Sequence, residues 1–315
     1  MVVVVVVTPR TGSRRPVATY SIVAGDDAGA LGVAVQSHWF NVGAVVPWVE
    51  AGVGAVAVQS ISDPTTGSRA LDQLRSGRPA AQVLASLLGN DPEAAYRQIA
   101  IVDAEGGVAA HSGELCIAEA GHVVGDRFSA QANMMGRPTV WRAMADAYER
   151  TSGDLADRLL TALEAAEAEG GDVRGRQSAA LVVVPGGPGG SGFDLRVEDA
   201  RDPLGELRRL VWLQRVYLEL NHGDAMMARG DHEAALASYR AAADMAPDEA
   251  TDGEAAFWAG VAFAATGRVD DALPFLVRAA AFGDRWERLL PRLVRSRMLP
   301  EDEGLLHRLL GAMGR

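Results

Sequence analysis

Pairs of strand-like segments alternate with pairs of helix-like segments over residues 19–203, and this order limits the possible folds more than any other feature. Hairpins are predicted at residues 19–37 and 98–111, each with a short turn rich in Gly, Asp or Glu. Further strands are predicted at residues 53–60, 115–118, 127–132, 178–184 and 195–197, and helices at 66–76, 79–88, 139–150 and 154–169. Paired helices between antiparallel hairpins indicate an α+β sandwich of two stacked sheets with helices outside, rather than a doubly wound fold.

The region from residue 204 to residue 315 has a helical pattern throughout and contains an internal repeat. Four small residues recur after a shift of 37 positions: Gly223, Gly230, Ala235 and Ala242 reappear as Gly260, Gly267, Ala272 and Ala279. A tetratricopeptide (TPR) unit is about 34 residues long and has small residues where its two helices cross. The sequence therefore predicts a separate all-α domain of two TPR-like repeats, capped on each side by flanking helices.

The charge of the chain argues against nucleic acid as its main partner. The formal net charge is -11, whereas binding to a phosphate backbone requires a basic face. All basic residues are arginines, so Schiff-base chemistry, a phosphate-binding-loop lysine and a lysine general base are excluded. We expect no cofactor.

The single cysteine and the N-terminal segment predict the compartment. Cys116 has no second cysteine with which to form an internal disulfide, which fits a reducing compartment. The apolar run at residues 1–7 is too short for a bilayer span, and acidic residues follow Arg14 and Arg15 where a twin-arginine signal needs an apolar segment. We predict a cytoplasmic protein with no membrane association, in which residues 1–18 are a disordered extension or reflect a mis-assigned start.

A threonine begins the first strand of the predicted sandwich. A threonine hydroxyl needs a base to act as a nucleophile, and the α-amine of a first residue, with a pKa of about 7.7–8.0, can provide one. For Thr19 this requires loss of residues 1–18 by self-cleavage after Ala18, by another protease, or by a later start of translation. The alternative is that Thr19 is simply a residue that favours strands.

Four stretches of the sequence resemble DUF1028, a bacterial and archaeal family of unknown function. They comprise residues 19–24 with 31–43, residues 45–57, residues 128–134 and residues 175–181. That family is placed in the N-terminal nucleophile (Ntn) hydrolase superfamily, so the resemblance implies a four-layer αββα fold. Its members commonly begin Met-Thr-[Phe/Tyr]-Ser, which would leave the threonine first after removal of the methionine. This chain departs from the pattern by its 18-residue extension.

Three further polar residues are candidates for the catalytic site. Asn133 and Gln131 can donate hydrogen bonds to an oxyanion, although Asn133 can equally cap the turn that follows it. Ser21 lies two positions after Thr19, on the same face of the strand, and can hydrogen-bond the amine. The alternative for Ser21 is an ordinary polar position on a sheet face.

Candidates for substrate binding lie elsewhere in the chain. Arg176 and Gln177 precede a buried strand and can bind a substrate carboxylate, the arginine in bidentate fashion. Asp63 and Arg69 flank the start of a helix, where they form either an ion pair at the edge of the site or an ordinary surface cap. His38, after the second strand, completes this set.

The histidines and the cysteine form no recognisable metal motif. His38, His111 and His122 lack a compact ligand spacing, and only one cysteine is available, so no metal site is expected. Cys116 can pair with a histidine in nucleophilic catalysis, but an isolated cysteine in an apolar stretch is more often a buried small hydrophobe. The glycine-rich residues 185–192 lack the Lys-Ser/Thr of a phosphate-binding loop and are predicted to be a linker.

Two functional hypotheses follow. In the first, the protein is an Ntn-type hydrolase in which Thr19 attacks an amide bond of a small molecule or peptide. In the second, the Ntn-like domain is inactive and the repeats hold a protein partner in their groove. A third role for the repeats is assembly of a homo-oligomer. The predicted limits are residues 1–18 for the extension, 19–203 for the sandwich and 204–315 for the repeats.

Overall fold

The computed structural model describes residues 19–61, 63–89, 91–187, 190, 192–245 and 247–314. The chain forms two compact units that divide between Val211 and Trp212. The predicted extension at residues 1–18 lies outside the described residues, as does part of the predicted linker at 185–192. The division falls inside one helix, Pro203–Arg229, and the domain limit at residues 203–204 stays a prediction.

The first unit contains two antiparallel sheets and their flanking helices. Its strands are β1 Thr19–Gly25, β2 Leu31–Ser37, β3 Pro47–Glu50, β4 Gly54–Ser60, β5 Arg97–Asp103, β6 Val108–Ser112, β7 Gly121–Gly125, β8 Phe128–Asn133, β9 Ser178–Val184 and β10 Phe193–Val197. Its helices are α1 Thr66–Arg75, α2 Ala80–Gly89, α3 Val140–Arg150 and α4 Leu155–Glu169. One sheet has the strand order β10-β9-β2-β1-β8-β7 and the other the order β3-β4-β5-β6. Both predicted hairpins, β1–β2 and β5–β6, are confirmed.

The two sheets face each other, with α1 and α2 against the four-stranded sheet and α3 and α4 against the six-stranded sheet. In β1, Val23 points into the apolar layer between the sheets, so its neighbour Ile22 points towards the helices, and both are fully buried. Strands covered on both faces read as continuous apolar runs rather than as alternating patterns. Gly32 permits close packing of α4, because a Cβ there would lie 2.8 Å from Cδ1 of Leu159.

Three elements differ from the prediction. Residues 115–118 form no strand; the chain turns there, and the side chains of Leu115 and Ile117 are largely exposed, so this apolar run lacks the cover that a strand needs. The strand that forms instead is β7, further along the chain, and it was not predicted. The short strand β3 was not predicted, because it begins at Pro47 and lies half-buried at a sheet edge, where a missing backbone donor is tolerated.

The second unit is helical in its described residues, so antiparallel sheets followed by a helical region are confirmed as predicted. Its helices are the remainder of α5 Pro203–Arg229, then α6 His232–Met245, α7 Glu254–Ala265, α8 Val269–Ala280, α9 Arg285–Arg295 and α10 Glu303–Met313. Among the described helices, none is both long and apolar enough to cross a membrane.

The 37-residue repeat coincides with two helical hairpins. Gly223 of α5 lies against the ring of Tyr239 of α6, where a Cβ would come within 3.0 Å of the ring. The equivalent Gly260 of α7 lies against Leu276 of α8, where a Cβ would be 2.7 Å from the side chain. Equivalent small residues thus let the helices of each hairpin cross closely.

Candidate functional site

A group of buried polar side chains lies between the two sheets, at the end where β1 begins. We call it the inter-sheet polar cluster; it comprises Thr19, Ser21, Ser37, Gln59, Gln98, Ser129, Gln131 and Asn133, none more than 1% exposed. The same inner faces carry apolar residues further along the strands, such as Val23, Ala57 and Ala100. Polar groups held away from water must bond to one another, so this cluster is a defined network rather than a loose polar patch.

Thr19 occupies a central place in this cluster because β1 is an inner strand of its sheet. On one side, Thr19 is paired in register with Asn133 of β8. On the other side, its Oγ1 donates a hydrogen bond of 3.2 Å to Oγ of Ser37 in β2. The threonine is therefore held between two polar neighbours on adjacent strands.

Backbone carbonyl groups fix the orientation of the Gln98 side chain. Its Nε2 lies 2.9 Å from the carbonyl oxygen of Ala132 and 3.2 Å from that of Gly121, and carbonyl oxygens only accept hydrogen bonds. Oε1 of Gln98 must then be the acceptor for its other contacts. It receives hydrogen bonds from Nε2 of Gln59 at 2.7 Å and from Nδ2 of Asn133 at 2.9 Å.

The remaining hydrogen bonds run in one direction through the cluster. Nε2 of Gln59 also donates to the backbone oxygen of Thr19 at 3.1 Å, so Oε1 of Gln59 accepts from the Ser21 hydroxyl at 2.6 Å. Ser21 in turn accepts from Nε2 of Gln131 at 2.6 Å, and Ser129 donates to Oε1 of Gln131 at 2.9 Å. The hydroxyl hydrogen of Ser21 is thus committed to Gln59, and the carbonyl of Thr19 is held from the opposite sheet.

The network continues to a histidine at the border of the cluster. Oγ of Ser112 accepts from Nε2 of Gln98 at 2.7 Å and lies 2.9 Å from Nδ1 of His122. Because the serine already accepts from Gln98, its own hydrogen is available to Nδ1, which favours a neutral imidazole. Burial, and secondly the charge of His111, lowers the pKa of His122.

Two buried amide side chains retain unpaired atoms. Oδ1 of Asn133 has no hydrogen-bond partner among the described residues, and neither Oε1 nor Nε2 of Gln36 has one. Asn133 faces the other sheet, because its Nδ2 reaches Gln98, whereas Gln36 follows Val35 of the inner face and so points towards the helices. A buried unpaired polar atom costs about 1–3 kcal/mol, so each of these atoms requires an explanation.

The structure brings together four of the predicted site residues: Thr19, Ser21, Gln131 and Asn133. All are members of the inter-sheet polar cluster, and Ser21 lies on the same strand face as Thr19. The predicted catalytic set therefore forms one continuous network, whatever its role.

The predicted substrate-binding residues lie outside this cluster. The Arg176 guanidinium forms ion pairs with Asp202 at 3.1 Å and Glu167 at 3.6 Å, and its side chain is 43% exposed. The Gln177 side chain donates to Asp199 at 3.1 Å. The backbone N–H of Gln177 nevertheless donates to the carbonyl of Ser37, 3.1 Å away, so this segment borders the cluster.

Asp63, Arg69 and His38 lie on the surface of the unit. Oδ1 of Asp63 accepts from the backbone N–H and the hydroxyl of Thr65, just before α1. Within the described ranges, Asp63 and Arg69 form no ion pair with each other, which favours the surface-cap alternative. The backbone N–H of His38 donates to Oδ2 of Asp172, and the residue is exposed.

Sequence reasoning missed four members of the cluster: Ser37, Gln59, Gln98 and Ser129. The available signal was the pentapeptide Val-Ala-Val-Gln-Ser, which ends both β2 (residues 33–37) and β4 (residues 56–60). Its polar Gln-Ser pair follows an apolar run that is fully buried in both strands. Polar residues that end such strands would have indicated a buried polar layer.

The remaining chemical candidates give no second site. Across the part of the chain that the structure describes, no group of three or more His, Cys, Asp or Glu side chains is placed to hold a metal ion. The Cys116 thiol donates to the backbone oxygen of Arg97 at 3.4 Å, and burial raises its pKa. His111 bonds through Nε2 to the carbonyl of Ala94.

An open cleft lies elsewhere on the first unit. It has a volume of about 650 Å³, is lined largely by β10 and the segment leading into α5, and contains no residue of the inter-sheet polar cluster. Its polar lining includes Arg196, Glu198, Asp199, Asp202 and Glu206. Thr19, by contrast, is fully buried.

Comparison with known proteins places the matched region on the first unit. The model of DUF1028, a family of unknown function, matches residues 19–207, a range that begins at Thr19 and includes the whole cluster. The crystal structure of protein SPO2555 from Silicibacter pomeroyi, which carries the same family model, is similar with a TM-score of 0.57 and 31% identity. That match covers 62% of this chain and 88% of the other. No curated protein matches this chain.

Proposed function

The chain belongs to the DUF1028 family, whose function is unknown, and from the site itself we propose that it is an Ntn-type amide hydrolase. The observation that carries this proposal is the position of Thr19, the first residue of an inner strand, with its hydroxyl bonded to Ser37 inside a buried polar network. The two facing sheets enclosed by helices support the αββα assignment, which is the layer order expected of an Ntn-type fold.

The proposed reaction begins once Thr19 is the first residue. The hydroxyl hydrogen of Thr19 turns from Ser37 to the α-amine, which accepts the proton, and Oγ1 attacks the carbonyl carbon of the substrate amide. The tetrahedral intermediate expels the amine product, which takes the proton back, and leaves an ester on Thr19. A water molecule, deprotonated by the same α-amine, then hydrolyses the ester to release the acid. The substrate is an amide of a small molecule or peptide.

Supporting groups come from the inter-sheet polar cluster. Nδ2 of Asn133 and Nε2 of Gln131 each carry a second hydrogen beyond the one given to Gln98 or Ser21, and these are the proposed oxyanion donors. Ser21 cannot donate to the oxyanion while its hydrogen is bonded to Gln59, so we assign it to orientation of the amine.

The exposed candidates are proposed as substrate contacts at the border of the site. They are Arg176, Gln177 and His38, whereas Asp63 and Arg69 are assigned to the surface cap before α1. Gln177 is the best placed of them, because its backbone N–H bonds to the carbonyl of Ser37. Arg176 would have to exchange Glu167 or Asp202 for a substrate carboxylate.

The full-length chain is, in this proposal, an inactive precursor. Its Thr19 nitrogen is part of the peptide bond to Ala18, so it cannot act as a base, and the side chain is fully buried. Removal of residues 1–18 would create the base.

The test uses a chain that begins at Thr19, made by cleaving a fusion partner immediately before that residue. A β-lactone acylating probe should label Thr19 in this chain and leave the full-length chain unlabelled, as read by peptide mass spectrometry. Thr19→Ser should keep labelling, whereas Thr19→Ala should lose it. Absence of label on the released wild-type chain, or equal labelling of Thr19→Ala, would contradict the proposal.

The second candidate function is protein binding by the helical unit. In both proposals the protein is cytoplasmic. The observation that favours it is the pair of equivalent hairpins, α5–α6 and α7–α8, whose 37-residue spacing is close to that of TPR proteins that bind peptides in a groove. The N-terminal sequence of protein from its native host separates the two. A chain starting at Met1 or Val2 favours binding, and one starting at Thr19 favours hydrolysis.

A further inference from the structure

The unpaired side-chain oxygen of Asn133 leaves room for one more hydrogen bond beside Thr19. Oδ1 is fully buried and has no partner among the described residues. Rotating the amide by half a turn would not remove the difficulty, because it would set Oδ1 against Oε1 of Gln98. That atom is fixed as an acceptor by the two carbonyl groups bonded to Nε2 of Gln98. The unpaired atom is therefore an acceptor that needs a donor.

The backbone pattern places the nitrogen of Thr19 on the side of Asn133. The N–H of Gly25 donates to the carbonyl of Arg127 at 2.9 Å, and the register of β1 and β8 continues without interruption to the pair Thr19 and Asn133. In antiparallel sheets hydrogen-bonded pairs recur at every second residue, and Thr19 lies six residues before Gly25. The nitrogen of Thr19 therefore points at β8, while its hydroxyl reaches Ser37 on the opposite side.

We propose that Asn133 is a further positioning residue for the catalytic base, in addition to Ser21: in the released chain, the α-ammonium of Thr19 donates a hydrogen bond to Oδ1 of Asn133. This inference rests on the proposed function, because it requires loss of residues 1–18. In the full-length chain the Thr19 nitrogen carries one hydrogen, which the strand pairing directs to the backbone oxygen of Asn133. The ammonium group carries two more, so Oδ1 gains its donor only after release.

The arrangement gives each of the two reactive groups of Thr19 its own hydrogen-bond partner. Ser37 holds the hydroxyl on the β2 side and Asn133 holds the amine on the β8 side, so the rotamer of Thr19 is fixed from both directions. Asn133 thus donates a hydrogen bond to Gln98 through Nδ2 and accepts one from the α-ammonium of Thr19 through Oδ1.

The test measures the amine itself and needs no substrate. The chain beginning at Thr19 is labelled with 15N-threonine, and the pKa of its terminal amine is read from the 15N shift during a pH titration. Hydrogen bonding to a charged form raises the pKa of an ammonium group, so Asn133→Leu and Asn133→Ala should each lower it by about one unit. Gln36→Leu is the matched control, because it removes another buried, unpaired amide on the opposite face of the sheet, and should leave the amine pKa unchanged.

Each outcome decides the inference. An amine pKa that is the same in wild type and in whichever Asn133 variants fold overturns it, and so does a released wild-type chain that is unfolded by circular dichroism. If both Asn133 variants fail to fold, Asn133→Ser, which shortens the side chain, must show the lowered pKa. If the amine pKa falls in the Asn133 variants but the probe does not label Thr19, the inference is supported and the hydrolase proposal is contradicted. Labelling of Thr19 together with an amine pKa that is unchanged in the Asn133 variants contradicts the inference and supports the hydrolase.

Discussion

The hydroxyl groups of Thr19 and Ser37 lie 3.2 Å apart across β1 and β2, with the threonine as donor. Both residues are fully buried, and Ser37 follows Val33 and Val35 on the same inner face of β2. The contact thus sits where the space between the sheets changes from apolar to polar. It gives the hydroxyl of Thr19 a fixed direction.

Replacing Ser37 should slow acylation without abolishing it. In a chain that begins at Thr19, Ser37→Ala removes one neutral hydrogen bond, worth about 1 kcal/mol, and should lower the labelling rate about three- to tenfold. Ser60→Ala is the matched control, because Ser60 ends the identical pentapeptide in β4 and is equally buried, but is not part of the inter-sheet polar cluster. Equal rates in the two variants would argue against a role for the Thr19–Ser37 contact.

The two glutamines of the repeated pentapeptide should respond differently to the same substitution. Gln59→Leu breaks bonds to Ser21, Gln98 and Thr19, and should lower the free energy of unfolding by about 2–4 kcal/mol. Gln36→Leu removes an amide that has no partner in the described structure, and should change it by less than about 1 kcal/mol or raise it. Urea denaturation of the full-length chain measures both. A Gln36 variant as unstable as the Gln59 variant would contradict this assignment.

Protonation of His122 should destabilise the fold as the pH falls. Burial, and then the charge of His111, lowers the pKa of His122 in the folded state below the value of about 6.5 expected when unfolded. The unfolded chain then binds more protons, so this stability is complete above about pH 6.5 and is lost as the pH falls towards the folded pKa.

The predicted loss of stability at low pH can be tested by urea denaturation at several pH values. Urea midpoints between about pH 7.5 and about pH 5.5, one unit on either side of the unfolded pKa, should fall less steeply in His122→Gln than in wild type. Identical slopes would show that the hydrogen bond to Ser112 does not depend on a neutral imidazole.

The helical unit should tolerate alanine at one helical glycine and not at another. Gly260 has Leu276 within 2.7 Å of the site of a Cβ, so Gly260→Ala should destabilise by about 1–3 kcal/mol through overpacking. Gly311 in α10 has nothing within 4 Å, and Gly311→Ala should stabilise by about 0.5–1 kcal/mol because alanine favours helices. Thermal denaturation compares them, and the same sign for both would mean that α7 and α8 do not pack through Gly260.

Local patterns in the sequence were sufficient for most of the elements, although not for β3 and β7. The hairpins β1–β2 and β5–β6 were predicted from short turns between β-favouring runs, which depend on neighbouring residues alone. The turns at Gly230 and Gly267 were predicted in the same way. In the structure both residues adopt positive φ where a helix ends, a conformation that glycine favours. Thr19 as the first strand residue, and Ser21 on its face, also followed from strand periodicity.

Which face of a strand points where was decided only by tertiary structure. The pentapeptide Val-Ala-Val-Gln-Ser places Ser37 between the sheets in β2, but in β4 it places Gln59 there, one position earlier. The sequence by itself determined that both segments are strands. It could not assign their faces, because a strand buried on both sides has no apolar–polar alternation, and a shift of one residue exchanges every side chain between the two faces. The contacts of Gln59 and Ser37, and with them the surroundings of Thr19, exist only because the two sheets pack together in this register.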